Sequence, residues 1–273
     1  MKKQPAEDFL HAVHLREFED EEIGVRHRIA NYYLPMFQEF CRRRSVPPGS
    51  VRVLDCGCGN GASVEYLAAA GFEAWGIDAA NFRFEQWAER GKRRRVTLIP
   101  ADATALPFAD RSFDIVLSSG MLEHIGVREV VDPVYRCTAL PDRDVRRSWF
   151  IAQALRVLRP RGEFYLDHPN GASFIDFWHN DWRARPRLHM PFEPFLPSYR
   201  EVERMARQIR PNARVEAISP AGRFTFRRAS RRWYVRPFIG TMKLFFDLLR
   251  HWPFSALASS PLNPYLVIRI TAD

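Results

Sequence analysis

Residues 51–61 (VRVLDCGCGNG) constrain the fold of this chain more than any other stretch. The first residues are apolar and β-branched, which predicts a short buried strand that ends at Asp55. Glycines alternate with other residues after this acid, and residues 62–70, a run of helix formers, follow as far as Gly71. A strand, a glycine turn and a helix in this order open a nucleotide-type α/β fold, because glycines permit positive φ angles and a close approach of a ligand.

The acid in this turn narrows the kind of ligand that the turn can hold. A dinucleotide places its pyrophosphate at the helix N-terminus, where the carboxylate of Asp55 would repel it. The glycines are also spaced as G-x-G-x-G, which differs from the G-x-G-x-x-G of dinucleotide sites. A cofactor with cationic groups and no phosphate suits the acid better. S-adenosylmethionine has this chemistry, since it carries a sulfonium and an ammonium group.

Two further predicted strands also end in an acid. Residues 73–78 (EAWGID) end at Asp78, which lies about 20 residues after the glycine turn, as expected for an acid that binds ribose hydroxyls. Residues 96–102 (VTLIPAD) end at Asp102. Because the carboxyl ends of parallel strands lie along one edge of a sheet, we expect the three carboxylates to meet where open α/β sheets bind ligands.

The motifs together resemble class I S-adenosylmethionine-dependent methyltransferases. The string LDCGCGNG at 54–61 resembles the first motif of these enzymes, and residues 100–120 resemble the segment that contains the fourth strand. Residues 119–126 (SGMLEHIG) resemble the motif after that strand in the type 11 methyltransferases. The resemblance covers residues 50–170, with weaker support to residue 219 and in the last predicted strand. It implies a Rossmann-like, doubly wound sheet of seven mostly parallel strands.

The resemblance also implies which residues bind S-adenosylmethionine. They lie in the glycine turn and after the next strands, and are Asp55, Gly57, Cys58, Gly59, Asn60, Gly61, Asp78, Ala79, Asp102, Ala103 and Ser119. The residue that matches Asp102 meets the adenine amino group, and Ser119 would lie beside the methionine moiety. Asp78 is expected to accept hydrogen bonds from both ribose hydroxyls.

His124 and His168 are the candidate catalytic residues. His124 follows the fourth strand near the expected methyl group, and a histidine with a pKa near neutrality suits a general base. In the alternative interpretation, Glu123 and His124 only hold the loop and cap the helix. Residues 171–197 are rich in aromatic residues and histidine and are expected to form a roof over the substrate. The candidate substrate contacts are Glu123, His179, Trp182 and His189.

The sequence predicts no metal site. Cys56 and Cys58 have no second cysteine pair, and His168, His179, Asp181 and His189 follow no metal-ligand spacing. All four cysteines are expected to be reduced thiols of a cytoplasmic protein. Residues 1–8 lack the apolar core of a secretory signal.

Two appendages are predicted around the methyltransferase domain at 50–273. Residues 1–49 have helical periodicity and are expected to form a cap. Residues 220–263 are an insertion before the last strand, in which arginines alternate with aromatics and a helix carries one apolar face: Met242, Phe245, Phe246 and Leu249. The first interpretation is a helix that packs on the chain's own domain or on a second copy. With a net charge of +9, the same order also suits peripheral contact of residues 223–249 with an acidic membrane, and RNA binding is a further alternative.

The predicted function is transfer of a methyl group to an oxygen or nitrogen of a small-molecule acceptor. The acceptor is expected to be lipid-linked, a saccharide or quinone-like, and the protein cytoplasmic with a peripheral membrane contact. An RNA methyltransferase is the first alternative, because the chain is basic. A non-catalytic module that binds S-adenosylmethionine is the second, although no cofactor motif is degraded.

Overall fold

The computed structural model describes residues 22–79, 84–93, 95–130, 136–177, 179, 187–218, 233 and 236–271. In chain order, the helices and strands are α1 (Leu34–Arg44), β1 (Arg52–Cys56), α2 (Ala62–Ala69), β2 (Glu73–Asp78), α3 (Phe84–Arg90), β3 (Val96–Pro100), β4 (Phe113–Ser119), β5 (Val127–Val130), β6 (Arg136–Ala139), α4 (Arg143–Val157), β7 (Leu158–Pro169), β8 (Ile175–Asp176), β9 (Arg187–Leu188), α5 (Tyr199–Ile209), β10 (Arg214–Ala217), α6 (Arg236–Leu248) and β11 (Tyr265–Thr271).

Seven of these strands form one sheet in the order β10-β11-β7-β4-β1-β2-β3. Neighbours from β7 to β3 pair in parallel, and β11 runs antiparallel to both β7 and β10. Strands buried on both faces require continuous apolar runs, and residues 115–117 of β4 are each 0% exposed. The fold class predicted from the sequence is confirmed. Two short hairpins, β5-β6 and β8-β9, lie outside this sheet.

Apolar side chains pack on both faces of the sheet and form two buried clusters. The helices α4 and α5 cover one face, where Phe150 and Val202 pack with Leu54 of β1. The other face includes Val53 of β1 and is covered by residues from α1, α2 and α6. Because consecutive strand residues point to opposite faces, β1 contributes to both clusters.

The described part of the predicted N-terminal cap is helical from residue 22 to residue 44, with a π-helical turn at Ile29–Tyr33. Tyr33 and Phe37 are both 0% exposed and pack into the second cluster. Ion pairs join the start of this helix to the glycine-turn region, since Glu22 lies 2.8 Å from Arg90 of α3. The cap is therefore fixed to the sheet by core packing and by charge.

The helix of the predicted insertion also packs on this face of the sheet. Phe246 and Leu249 are 0% and 1% exposed, and Met242 and Phe245 pack against the same cluster. The prediction that these four side chains lie on a membrane is wrong, because α6 turns them toward its own protein core. The arginines at 223–232 lie outside the described residues, so membrane contact through other side chains of 223–249 stays a prediction. No described helix combines the length and the apolar character needed to cross a bilayer.

Candidate active site

A cavity of about 360 Å³ opens at the carboxyl ends of β1, β4 and β7. Its walls include predicted site residues: Asp55, Gly57, Cys58, Gly59, Ser119, Glu123, His124 and His179. They also include residues that the sequence analysis did not select: Val25, Arg28, Ile29, Ser63, Leu117, Gly120, Pro169 and Tyr265. The edge of the sheet predicted to bind a ligand is thus the edge that carries the cavity, and the cap helix forms one of its walls.

The glycine turn forms the floor of this cavity. Gly57 has φ +80°, and a Cβ atom there would lie only 2.6 Å from the Sδ atom of Met121, so no larger residue fits without a shift. The backbone N–H groups of Gly57 and Cys58 donate to Ile77 O at 2.9 and 3.0 Å. The N–H of Gly59 donates to Asp78 Oδ2 at 2.8 Å. These bonds join the turn to β2, so that Asp78 holds the turn in shape as well as being the candidate ribose acceptor.

Asp55 is a buried acid with one carboxylate oxygen available for a ligand. It is 3% exposed, and Oδ2 accepts a hydrogen bond from the Ser63 hydroxyl. Oδ1 is buried and has no hydrogen-bond partner among the described residues. Burial, with the nearby charges of Asp78 and Asp167, raises the pKa of Asp55 to about 7, although the bond from Ser63 works in the other direction. A cationic group in the cavity would satisfy Oδ1, which fits the sulfonium and ammonium groups of S-adenosylmethionine.

A second buried acid, Asp167, lies two residues before the end of β7 and was not predicted as a site residue. The hydroxyls of Tyr33 and Tyr265 both donate to it, and Arg28 Nη1 lies 3.6 Å from its Oδ1. Arg28 Nη1 also donates to Ser119 Oγ at 2.5 Å. Burial works against the charge on Arg28, but Tyr265 and Asp167 outweigh it and raise the pKa of the guanidinium. The cap thus brings a fixed positive charge to the wall of the cavity.

Glu123, His124 and His179 meet at the wall of the same cavity. Glu123 and His124 belong to the 3₁₀ turn Leu122–His124, which follows β4, and His179 follows the β8 strand. The rings of His124 and His179 lie edge to face, with centroids 5.3 Å apart. His179 Nδ1 lies 2.8 Å from Oδ2 of Asp176, a carboxylate that is 0% exposed. The alternative, in which Glu123 and His124 hold the loop, has support from the backbone carbonyl of Glu123, which accepts from Arg147 Nη2 at 2.8 Å.

Other predicted residues do not reach the cavity. His168 is 0% exposed, lies outside the cavity wall and bonds through Nδ1 to Pro169 O at 2.8 Å. Burial also lowers the pKa of His168, and a catalytic role for this residue stays a prediction. The His189 side chain is 3% exposed and lies 3.7 Å from Glu193, also away from the wall. It is therefore not positioned to contact a substrate in this cavity, and Trp182 lies outside the described residues.

The predicted adenine and ribose contacts lie beyond the cavity wall. Asp102 is exposed, and its Oδ1 accepts from the backbone N–H and the hydroxyl of Thr104, both at 2.8 Å. Ala79 is also exposed, and Ala103 is half-buried. Asn60 Oδ1 accepts from Ala62 N at 3.0 Å and stabilises the start of α2, which Gly61 enters with φ +82°. Binding of cofactor by these residues stays a prediction.

Comparison with known proteins shows which family the central part of the chain matches. The family described as a methyltransferase domain, type 11, matches residues 54–166. Residues 54–166 are a methyltransferase domain. In this methyltransferase domain the glycine turn, Ser119 and the turn with Glu123 and His124 all lie inside the matched range. The family consists of S-adenosylmethionine-dependent enzymes, in agreement with the cationic ligand that Asp55 suits.

Curated relatives are also named as methyltransferases. The demethylmenaquinone methyltransferase of Renibacterium salmoninarum is 33% identical over 165 residues, which cover 56% of this chain and 60% of that protein. The 27-O-demethylrifamycin SV methyltransferase of Amycolatopsis mediterranei is 35% identical over 121 residues, which cover 42% of this chain and 37% of that protein. The chain therefore spans about half the length of the curated relatives it matches.

Solved structures agree with the fold over a longer range. A TehB-like SAM-dependent methyltransferase from Corynebacterium glutamicum aligns with 99% of this chain and 100% of its own, with a TM-score of 0.51 and 14% identity. A chain of the Haloferax volcanii complex that contains the Trm112 methyltransferase activator aligns with 100% of this chain and 99% of its own, with a TM-score of 0.55 and 16% identity. At these identities the similarity shows the fold alone.

Proposed function

We propose that the protein is an S-adenosylmethionine-dependent methyltransferase that acts on a quinone-like small molecule through a hydroxyl group. The observation that carries the proposal is that one cavity is lined both by the buried carboxylate of Asp55, whose Oδ1 has no partner among the described residues, and by Glu123, His124 and His179. The first suits a cationic cofactor, and the second is a place to activate an acceptor. The names of the relatives favour this acceptor class, since they specify a menaquinone precursor and a rifamycin.

The charges around the cavity give the cofactor one orientation. Asp55 Oδ1 would accept from the ammonium group or lie against the sulfonium. Arg28 would bind the carboxylate of the methionine moiety, because it brings a positive charge to the wall beside Ser119. Asp78 would accept from the ribose hydroxyls, and Asp102 would meet the adenine. The methyl group would then point toward the turn that holds Glu123 and His124.

Methyl transfer from S-adenosylmethionine requires chiefly that the protein position the acceptor. When bound, S-adenosylmethionine supplies an activated methyl group whose sulfide leaves without protonation. The residues of this chain must hold the acceptor oxygen in line with that methyl group. They must also remove the proton of the acceptor hydroxyl or weaken its O–H bond. His124 faces the cavity and is about two-fifths exposed, with 39% of its side chain accessible, so it can exchange a proton with solvent. His124 is thus the candidate base, with His179 beside it.

The cofactor assignment is tested by calorimetry on Asp78→Ala. Loss of the charge-assisted acceptor should weaken S-adenosylmethionine binding by about 1.5–3 kcal/mol. The matched control is Asp110→Ala, because that side chain is 71% exposed and lies away from the cavity wall. NAD should not compete with the cofactor. Unchanged affinity in a folded Asp78→Ala protein would exclude the ribose role.

The acceptor class is tested by transfer of a labelled methyl group. Purified protein would be supplied with hydroxylated naphthoquinones, with phenolic compounds and with total RNA. We expect label in the extractable quinone fraction, at a rate that RNase treatment does not change. Label that RNase releases would favour the RNA methyltransferase instead. Binding of cofactor with no transfer to any fraction would favour the non-catalytic module.

Peripheral contact with a membrane remains part of the proposal, on different side chains from those first predicted. Trp233, Phe238 and Trp252 are 80%, 68% and 89% exposed and lie in or beside the segment that carries α6. Exposed aromatics beside the basic sequence at 223–236 suit an anionic lipid surface. A quinone-like acceptor with a lipid tail would be reached from such a surface. A cytoplasmic location and self-association also stay predictions.

A further inference from the structure

Three potential metal ligands converge at the wall of the cavity. Glu123, His124 and His179 each offer one ligand atom, and these atoms all lie within 4.8 Å of one another. Glu123 and His124 are neighbours in the turn after β4, and His179 lies about 55 positions later, in the segment after β8. The fold brings the three side chains together. Two imidazoles and one carboxylate in this arrangement match the ligand set of many transition-metal sites.

The buried carboxylate of Glu123 is the first sign that the cluster is suited to a cation. Glu123 is 2% exposed, and its Oε2 is buried with no hydrogen-bond partner among the described residues. Its other oxygen lies 3.9 Å from His124 Nε2, beyond hydrogen-bonding distance. A buried carboxylate oxygen without a partner is costly, because its removal from water is not offset by a bond. A cation between Glu123 and the histidines would remove this cost.

The environment of His179 is the second, independent sign. Its Nδ1 lies 2.8 Å from Oδ2 of Asp176, which is 0% exposed and lies 3.3 Å from Arg187 Nη2. Metal-binding histidines commonly donate one ring N–H to a carboxylate in this way, which fixes the tautomer and directs the other nitrogen to the metal. With Nδ1 toward Asp176, His179 would present Nε2 to the cluster.

We propose that Glu123, His124 and His179 bind a divalent transition-metal ion, with Asp176 as the residue that orients His179. Imidazole ligands favour Zn²⁺ or Fe²⁺ over Mg²⁺ and Ca²⁺, which prefer oxygen ligands. Three protein ligands leave a coordination position open, as in catalytic zinc sites. That position faces the cavity, because all three ligands line its wall.

The role of the ion rests on the proposed methyltransferase function. An acceptor hydroxyl bound to the open position would have a lowered pKa and would lose its proton to solvent. Its oxygen would then form a bond to the methyl carbon as the carbon–sulfur bond of the cofactor breaks, which leaves the neutral sulfide. With the ion bound, His124 acts as its ligand, and this role replaces that of the base proposed above for the metal-free protein. This site was not predicted from the sequence, because its three ligands follow no regular spacing.

The test is titration of untagged, metal-stripped protein with ZnCl₂ in the absence of cofactor, followed by calorimetry. We expect one Zn²⁺ per chain and loss of this binding in His124→Ala, His179→Ala and Glu123→Gln. Asp176→Asn should weaken the affinity about 10–100-fold. His251→Ala is the matched control, since His251 is exposed and lies away from the cavity wall. Cys137→Ser controls for binding by the cysteine thiol that is not fully buried.

Each variant is also examined for its melting temperature and for binding of S-adenosylmethionine. His124→Ala carries least risk to folding, because its side chain is 39% exposed. A variant that loses Zn²⁺ while it keeps its melt and its cofactor affinity supports the site. Absence of Zn²⁺ binding by the wild type, or equal binding by folded His124→Ala and His179→Ala, overturns it. Glu123→Gln that loses cofactor affinity and keeps Zn²⁺ also overturns it. Binding of S-adenosylmethionine is also measured on the metal-free protein. If the protein binds cofactor but no Zn²⁺, the metal site is wrong and the proposed function still stands.

Discussion

Replacement of Asp55 with Asn should make the ligand-free protein more stable and the cofactor complex weaker. Asp55 is 3% exposed, and burial is the main reason that its pKa rises from 3.8 to about 7. Because the folded pKa lies above the unfolded value, this carboxyl favours the folded state at low pH. The contribution is lost as the pH rises from the unfolded value through the folded pKa.

The magnitude follows from the size of the pKa shift. One pKa unit corresponds to about 1.4 kcal/mol, so the full shift corresponds to about 4 kcal/mol above pH 7. Asn is neutral at every pH and does not lose this contribution. The difference in unfolding free energy between Asp55→Asn and the wild type should therefore widen by about 3 kcal/mol from pH 5 to pH 8, in favour of the variant.

The assay is urea unfolding of both proteins at a series of pH values without cofactor. Since other groups titrate equally in the two proteins, the difference isolates Asp55. Ser63→Ala should have the opposite effect to Asp55→Asn. The hydrogen bond from Ser63 lowers the pKa of Asp55, so its loss should make the unfolding free energy fall more steeply with rising pH. Asp110→Asn should run parallel to the wild type, since its side chain is exposed.

Binding should change in the opposite direction. The variant keeps the shape of the site but loses the negative charge opposite the cationic groups of the cofactor, which should cost about 1.5–3 kcal/mol of affinity at pH 8. Calorimetry with S-adenosylmethionine measures this loss. Parallel pH profiles for variant and wild type would refute the raised pKa. A stabilised variant with unchanged affinity would refute the role of Asp55 in holding the cofactor.

Other predictions follow from the contacts at the cavity and on α6. Arg28→Gln should weaken S-adenosylmethionine binding by about 1.5–3 kcal/mol in calorimetry, because the cap loses its charge for the cofactor carboxylate. His124→Ala should lower turnover about 10²–10⁴-fold in a methyl-transfer assay while cofactor affinity is kept. Phe246→Ala should cost about 3–5 kcal/mol of stability in urea unfolding, since the ring is buried. Phe238→Ser should change stability by less than about 0.5 kcal/mol but should weaken sedimentation with acidic vesicles, and equal sedimentation would exclude membrane contact by this ring.

The fold was predictable because its signals are local. The glycine turn and the acids Asp55, Asp78 and Asp102 mark strand ends in the sequence, and parallel strands bring such ends to one edge. Asp167 lies near the same edge, two residues before the end of β7, so it also belonged among the acids to consider. It was missed because the resemblance assigns that strand end no role.

The partners of the site were harder to predict because they come from distant parts of the chain. Arg28 lies in a helix whose pattern records only which face is apolar, and it meets Ser119 across 91 positions. The α6 helix shows the same limit. Its apolar face has the same spacing whether it packs on a membrane or on its own protein, since burial of apolar surface is non-directional. Only the packing of Phe246 against the sheet decides between them.

Part of the cavity wall comes from residues outside the matched range of 54–166. Arg28 and Ile29 come from the cap, His179 from the segment after β8, and Tyr265 from the last strand, and all four line the cavity. The matched domain supplies the glycine turn and the acids that suit a cofactor. Glu123 and His124 at the proposed acceptor position lie in the matched domain, whereas His179 comes from a flanking segment, so this part of the cavity can differ between chains that share the cofactor site. Similarity confined to the central domain thus supports the cofactor more strongly than the acceptor, and for that reason the experiments that vary the acceptor decide the most.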